Sequence, residues 1–173
     1  MSTHKQGFLR NVKLTANMLR LGMNLWPPFI GAGIHVLHIA DDFREIKVRM
    51  ALRWYNRNYV GTHFGGSLYA MTDPFFMLML MHNLGKGYVV WDKSSRIHYR
   101  APGRGTVYAD FRLGEEQIAA VRAEAADGEK HEPTFSVAVT DVAGKVIATV
   151  EKTLHVRRAR AQDAGGHSTT LSR

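Results

Sequence analysis

From Asn58 to Asp73 the chain reads Asn-Tyr-Val-Gly-Thr-His-Phe-Gly-Gly-Ser-Leu-Tyr-Ala-Met-Thr-Asp, its densest run of groups able to do chemistry. Gly65 and Gly66 stand where a polar loop turns into a long apolar segment, the place for a helix to begin. The first N–H groups of a helix have no carbonyl partner, and glycine lets a ligand approach them closely. With the positive end of the helix dipole they form a seat for a carbonyl oxygen that acquires negative charge. Ser67 is a third candidate ligand contact, or a plain first-turn hydrogen bonder. Asp73 interrupts an otherwise apolar face as a lone buried acid, able to deprotonate water or attack a carbonyl itself. Its competing reading is structural pairing, although no Lys or Arg lies within four residues of it on the helix. Asn58 and His63 are candidates to orient water or a leaving thiolate, with ordinary loop hydrogen bonding as their alternative.

Spacing constrains how these groups cooperate. The seven residues from Gly66 to Asp73 span roughly 10 Å along a helix axis, whereas a base must come within about 3 Å of its partner. The glycine amides and the acid of one subunit therefore cannot address the same carbonyl. Two copies with antiparallel central helices can, so the expected assembly is a homodimer or a dimer of dimers. Further along, Arg96, His98 and Arg100 alternate onto one face beside the Pro102–Gly105 turn. Arg96 and Arg100 are candidate ligands for phosphates, unless the row is simply a solvated face. His35 and His38 lie in an extended segment and are expected to face opposite ways, which makes no metal site. No dinucleotide-binding glycine fingerprint is present.

The elements that must position these groups are legible from periodicity. Residues 8–26 place Leu14, Met18, Leu21 and Leu25 three and four apart, an amphipathic helix with a basic polar face, suited to a sheet edge, an oligomer contact or a membrane surface. The Trp26-Pro27-Pro28 sequence ends it. Ile34–Ala40 and Phe43–Leu52 read as paired strands, the second alternating Ile46, Val48, Met50 and Leu52 with polar residues. From Gly66 to Leu84 the chain is apolar nearly all round, a helix buried on most sides, with a bend expected at Pro74. Strands follow at Tyr88–Arg100, Thr106–Leu113, Pro133–Asp141 and Lys145–Val156, with a short surface helix over Glu115–Ala126. A single helix buried all round needs a sheet that curls about it. The fold class is therefore α+β: the hotdog arrangement, about six antiparallel strands around one long apolar helix, with an extra N-terminal helix. Residues 1–157 make one domain and 158–173 a polar tail.

The composition bounds the rest. The chain has 173 residues, 45% of them hydrophobic, enough for a core. With no cysteine, disulfides and thiolate chemistry are excluded. The longest apolar run, Pro74 to Met81, is too short to cross a bilayer, and Arg10, Lys13 and Arg20 interrupt the N-terminal apolar pattern. The expectation is a cytoplasmic protein without integral membrane contact. The formal charge of +8 fits a phosphate-bearing ligand or simple solubility. Nucleic acid is disfavoured, because no element interleaves basic and aromatic residues.

The loop–helix segment resembles the hotdog-fold acyl-CoA thioesterases of the phenylacetate type, in which a His-Gly-Gly motif opens the central helix and an acid follows at the interval kept here by Gly66 and Asp73. In this chain Phe64 separates His63 from the glycines. The wording Trp26-Pro-Pro-Phe29, Asn58 to Gly66, Asp73-Pro-Phe-Phe76 and Val90-Trp-Asp-Lys93 is similar to a bacterial hotdog family, domain-of-unknown-function family 4442, over about residues 10 to 157. The resemblance implies a thioester hydrolase with dimeric sites, taking an acyl-CoA or another acyl thioester, with no cofactor beyond the coenzyme A of the substrate. A non-catalytic acyl binder and a hydratase or dehydratase using His63 with an acid are the alternatives on the same fold.

Overall fold

The computed structural model describes residues 15–159; the start of the expected N-terminal helix and most of the expected tail lie outside them. Helix α1 (Ala16–Asn24) opens at Thr15, whose Oγ1 accepts a hydrogen bond from the Met18 amide at 3.2 Å. The expected stop at Trp26 holds, but Pro27 also starts a new short helix, α2 (Pro27–Ala32). Proline suits a first helical turn, where its missing N–H is not needed. Gly33 ends α2 with φ +74.

Six strands follow in one antiparallel sheet: β1 (Ile34–Ile39), β2 (Glu45–Ala51), β3 (Tyr88–Tyr99), β4 (Thr106–Arg112), β5 (Thr134–Asp141) and β6 (Val146–Arg158), in spatial order β1-β2-β4-β5-β6-β3. The free edge of β1 is covered by α1, since the Asn24 amide accepts from the Val36 N–H at 2.7 Å and donates to the Val36 carbonyl at 3.0 Å. A bulge between Val36 and His38 breaks the alternation of β1. His35 and His38 pair opposite Arg49 and Lys47 and so share a face, contrary to the expectation from alternation alone. Among the described residues no group of three His, Cys, Asp or Glu side chains gathers as metal ligands would.

The central helix comes in two pieces, α3 (Gly65–Ala70) and α4 (Phe75–Leu84), separated at Met71–Pro74. Proline lacks the N–H that would bond the Ala70 carbonyl. Thr72 closes the first piece instead, its hydroxyl donating to the Tyr69 carbonyl at 2.7 Å. The concave face of the sheet wraps α4: Phe75 meets Phe111 at 4.8 Å between ring centroids, and Phe76 meets Phe135 at 5.1 Å. Met71, Met79 and Leu80 are fully buried beside them. Met77 and Leu78 are only half-buried and Met81 is exposed, so one apolar side of α4 is not covered by its own sheet. Helix α5 (Glu115–Glu124) covers one end with Ile118 and Val121. Among the described residues no helix is long and apolar enough to cross a membrane.

Candidate active site

The loop from Arg53 to Phe64 is organised by two asparagines. Asn56, buried, accepts from the Arg53 amide at 2.7 Å and donates to the carbonyls of Ala32 and Ala51, both at 2.9 Å, tying α2 to the end of β2. Asn58 does the same within the loop: its oxygen accepts from the amides of Val60 and Thr62, and its nitrogen donates to Thr62 Oγ1 at 2.9 Å and the His63 carbonyl at 3.3 Å. Its amide is occupied in holding a turn at Gly61, where φ is +78.

His63 is 3% exposed. Its backbone N–H donates to the Gly103 carbonyl at 3.0 Å and its Nε2 lies 2.9 Å from the Gly105 carbonyl. A carbonyl can only accept, so Nε2 carries the proton, and Nδ1 is left buried without a partner. Burial pushes the imidazole below its ordinary value, against a smaller opposing effect of the Gly105 bond. His63 is thus a neutral strut joining the loop to the 102–105 turn.

Between these two segments and the start of α3 opens a cleft of about 560 Å³, lined by Asn58, His63, Gly65, Tyr99, Arg100 and Arg104 among others. The amides of Ser67 and Leu68 both donate to the Phe64 carbonyl, at 3.0 and 3.1 Å, while those of Gly65 and Gly66 make no hydrogen bond among the described residues. A Cβ on Gly65 would stand 2.7 Å from the Tyr99 hydroxyl, and one on Gly66 would stand 2.5 Å from the Phe64 ring. A substituent at either position would have to displace the exposed side chain that packs over it. Ser67 lies one residue further on, half-buried.

Of the two expected phosphate ligands, only Arg100 reaches this cleft, joined by Arg104. Arg96 sits opposite Glu151 on the outer face of the sheet, in a separate shallow depression with Ser94, Thr134 and Thr153.

Asp73 stands apart from the cleft and is not alone. Its Oδ1 accepts from Lys152 Nζ at 2.9 Å, and the same Nζ lies 3.2 Å from Oδ2 of Asp92 and 5.4 Å from the centre of the Tyr69 ring. The Lys152 side chain is 0% exposed, that of Asp92 25% and that of Asp73 48%. The lone buried acid expected from the sequence is in fact half exposed in a single chain and paired across the fold. Burial works against the Lys152 charge, but the Asp73 hydrogen bond and both carboxylate charges outweigh it and hold the ammonium above its ordinary value. Burial pushes Asp92 up, and Lys152 only partly offsets this. The signal for Lys152 lies in the alternation of β6: Ala148, Val150, Leu154 and Val156 point inward and Lys152 shares their parity, whereas Val146, expected on the same side, is exposed beyond a register shift between β5 and β6.

No curated protein matches the chain. Similar solved structures include a probable thioesterase from Pseudomonas aeruginosa (19% identity, 83% of this chain and 95% of that one, TM-score 0.73). A thioesterase from Haemophilus influenzae is similar over 83% of this chain and 91% of its own (16% identity, TM-score 0.61). A variant of the phenylacetic acid degradation protein of Thermus thermophilus is 26% identical, over 76% of this chain and 99% of that one, with a TM-score of 0.52. These likenesses establish the hotdog fold. The model of the family described as Domain of unknown function (DUF4442) matches residues 15–156, and the chain belongs to that family.

Proposed function

We propose that this protein hydrolyses an acyl thioester, with acyl-CoA as the substrate class, at sites shared between two copies of the chain. The observation that carries the reading is the pair of unpartnered amides at Gly65 and Gly66, the first of these residues lining a cleft whose wall also supplies Arg100 and Arg104. A thioester carbonyl placed there has donors for its developing oxyanion, each worth around 3 kcal/mol of barrier when well aligned. The arginines suit the phosphates of a coenzyme A leaving group. Ser67, beside the amides, is a further contact. Asn58 and His63, whose hydrogen bonds are spent on the loop and the turn, shape the cleft. Arg96 contributes only where a bound nucleotide extends over the outer face.

Asp73 enters from the second copy as base or nucleophile. As base it takes a proton from water, whose oxygen bonds the carbonyl carbon. The tetrahedral intermediate collapses with loss of the C–S bond, and the leaving thiolate recovers that proton. Three features support the shared site: the separation of Asp73 from its own cleft, the uncovered side of α4, and the free outer edge of β3. The protein needs no cofactor beyond the coenzyme A of its substrate and works in the cytoplasm.

One observation favours a second reading. A carboxylate paired with Lys152 is also what a structural acid looks like, and a non-catalytic acyl-CoA binder would have no other use for it. Thiol release from a panel of acyl-CoA substrates, parent against Asp73→Asn, separates the two. A loss of a hundredfold or more (about 2.7 kcal/mol) with acyl-CoA binding retained supports the hydrolase. No release from either protein, with binding unchanged, makes it a binding module.

A further inference from the structure

We infer that Lys152 is a positioning residue, anchored by Asp92, that clamps Oδ1 of Asp73 and so presents Oδ2 as the oxygen that reacts. This rests on the hydrolase reading above. Strand β6 sends Ala148, Val150, Leu154 and Val156 into the core, each at 0% exposure, and Lys152 takes the same direction. A cation in such a wall costs several kcal/mol unless paired, and an apolar residue of similar volume usually serves stability as well or better. Stability alone does not account for the choice of lysine.

The charge count is equally informative. Asp92, three-quarters buried on β3, already gives Lys152 one counter-ion at 3.2 Å. A second carboxylate is surplus for neutralising one ammonium, yet Asp73 lies closer, at 2.9 Å. The dependence therefore runs from Asp73 to Lys152. Asp73 sits in the break between α3 and α4, where no helical frame fixes it, and among the described residues Lys152 is the only hydrogen-bond partner of its carboxylate. Asp92 stands at the β3 bulge between Asp92 and Ser94, which departs from regular alternation. Its Oδ1 is buried with no partner, so this carboxylate is held against Lys152 at a cost in solvation. One oxygen of Asp73 is thereby held and the other left open toward solvent, the side from which a second copy would bring its cleft.

The test compares kcat and KM for acyl-CoA hydrolysis in the parent, Asp73→Asn, Lys152→Met combined with Asp92→Asn, and all three changes together. Replacing Lys152 and Asp92 jointly avoids stranding a buried charge; circular dichroism and a thermal melt check folding. The expected result is a kcat at least tenfold lower with KM within about twofold for the Lys152/Asp92 variant, and a triple variant no slower than Asp73→Asn alone, because Lys152 acts only through Asp73. Lys152→Arg keeps the charge but moves the donor, and it lowers kcat in the same way if the double variant does not fold. A folded Lys152 variant with parental kcat, in a protein that Asp73→Asn inactivates, overturns this inference alone. A parent that releases no thiol overturns it together with the hydrolase reading.

Discussion

Acidification should weaken this fold through His63, by an amount that follows from its surroundings. The ring is almost wholly buried, its Nε2–H donates to the Gly105 carbonyl, and Nδ1 is buried without a partner. Burial lowers its folded-state value below the ordinary 6.5, so between those two values the unfolded chain binds a proton that the fold does not. The contribution is complete above pH 6.5 and is lost as the pH falls through that value, until the folded form protonates as well. A histidine that stays neutral in the fold costs about 1 kcal/mol between pH 6.5 and 5.5. His35, His82 and His155 are also lowered by burial first, and Asp92 is raised, so a single protein's pH profile mixes several groups. The difference between parent and His63→Gln isolates the one of interest, because glutamine keeps an N–H donor and does not titrate. Urea melts at pH 7.5, 6.5 and 5.5 should show the parent's advantage shrinking across the acidic step, by at most about 1 kcal/mol. Parallel profiles for the two proteins would refute the reasoning. Thiol release at pH 7.5 gives the complementary result: a strut can be replaced with less than about a threefold change, whereas a proton carrier cannot.

Gly65→Ala places a methyl 2.7 Å from the Tyr99 hydroxyl; Tyr99 is exposed and can swing aside, so melts should show a cost of at most about 1 kcal/mol while thiol release falls tenfold or more. Unchanged release would remove the glycine amides from the site. Asn56→Ala strands the Arg53 amide and the Ala32 and Ala51 carbonyls, for about 2–4 kcal/mol in urea melts. Asn56→Asp should cost more still, since it sets a carboxylate against two carbonyl oxygens; the reverse order would mean that solvent reaches this position.

The strand alternation, the apolar central segment and the turns were each legible in single stretches of sequence because a sheet with one wet face imposes a period of two on every strand. The glycine pair was legible for a similar reason: its place is local, at the point where a polar loop turns into the first turn of the central helix. Asp73 was legible as an acid but not as a member of a trio, because its partner lies on β6, 79 residues away. The bulges at Val36/His38 and Asp92/Ser94 and the burial of His63 depend on partners elsewhere in the chain, so period alone could not reveal them. Yet the parity of Lys152 was a usable signal. A lysine on the inward side of a strand must bring counter-ions with it. In a fold with one central helix crossing the inner face of the sheet, those counter-ions come from that helix or from the neighbouring strand. Asp73, in the break of the central helix, and Asp92, on the strand paired with β6, meet that demand. The inward lysine thus connects an acid read from the sequence to the place in the fold where it is held.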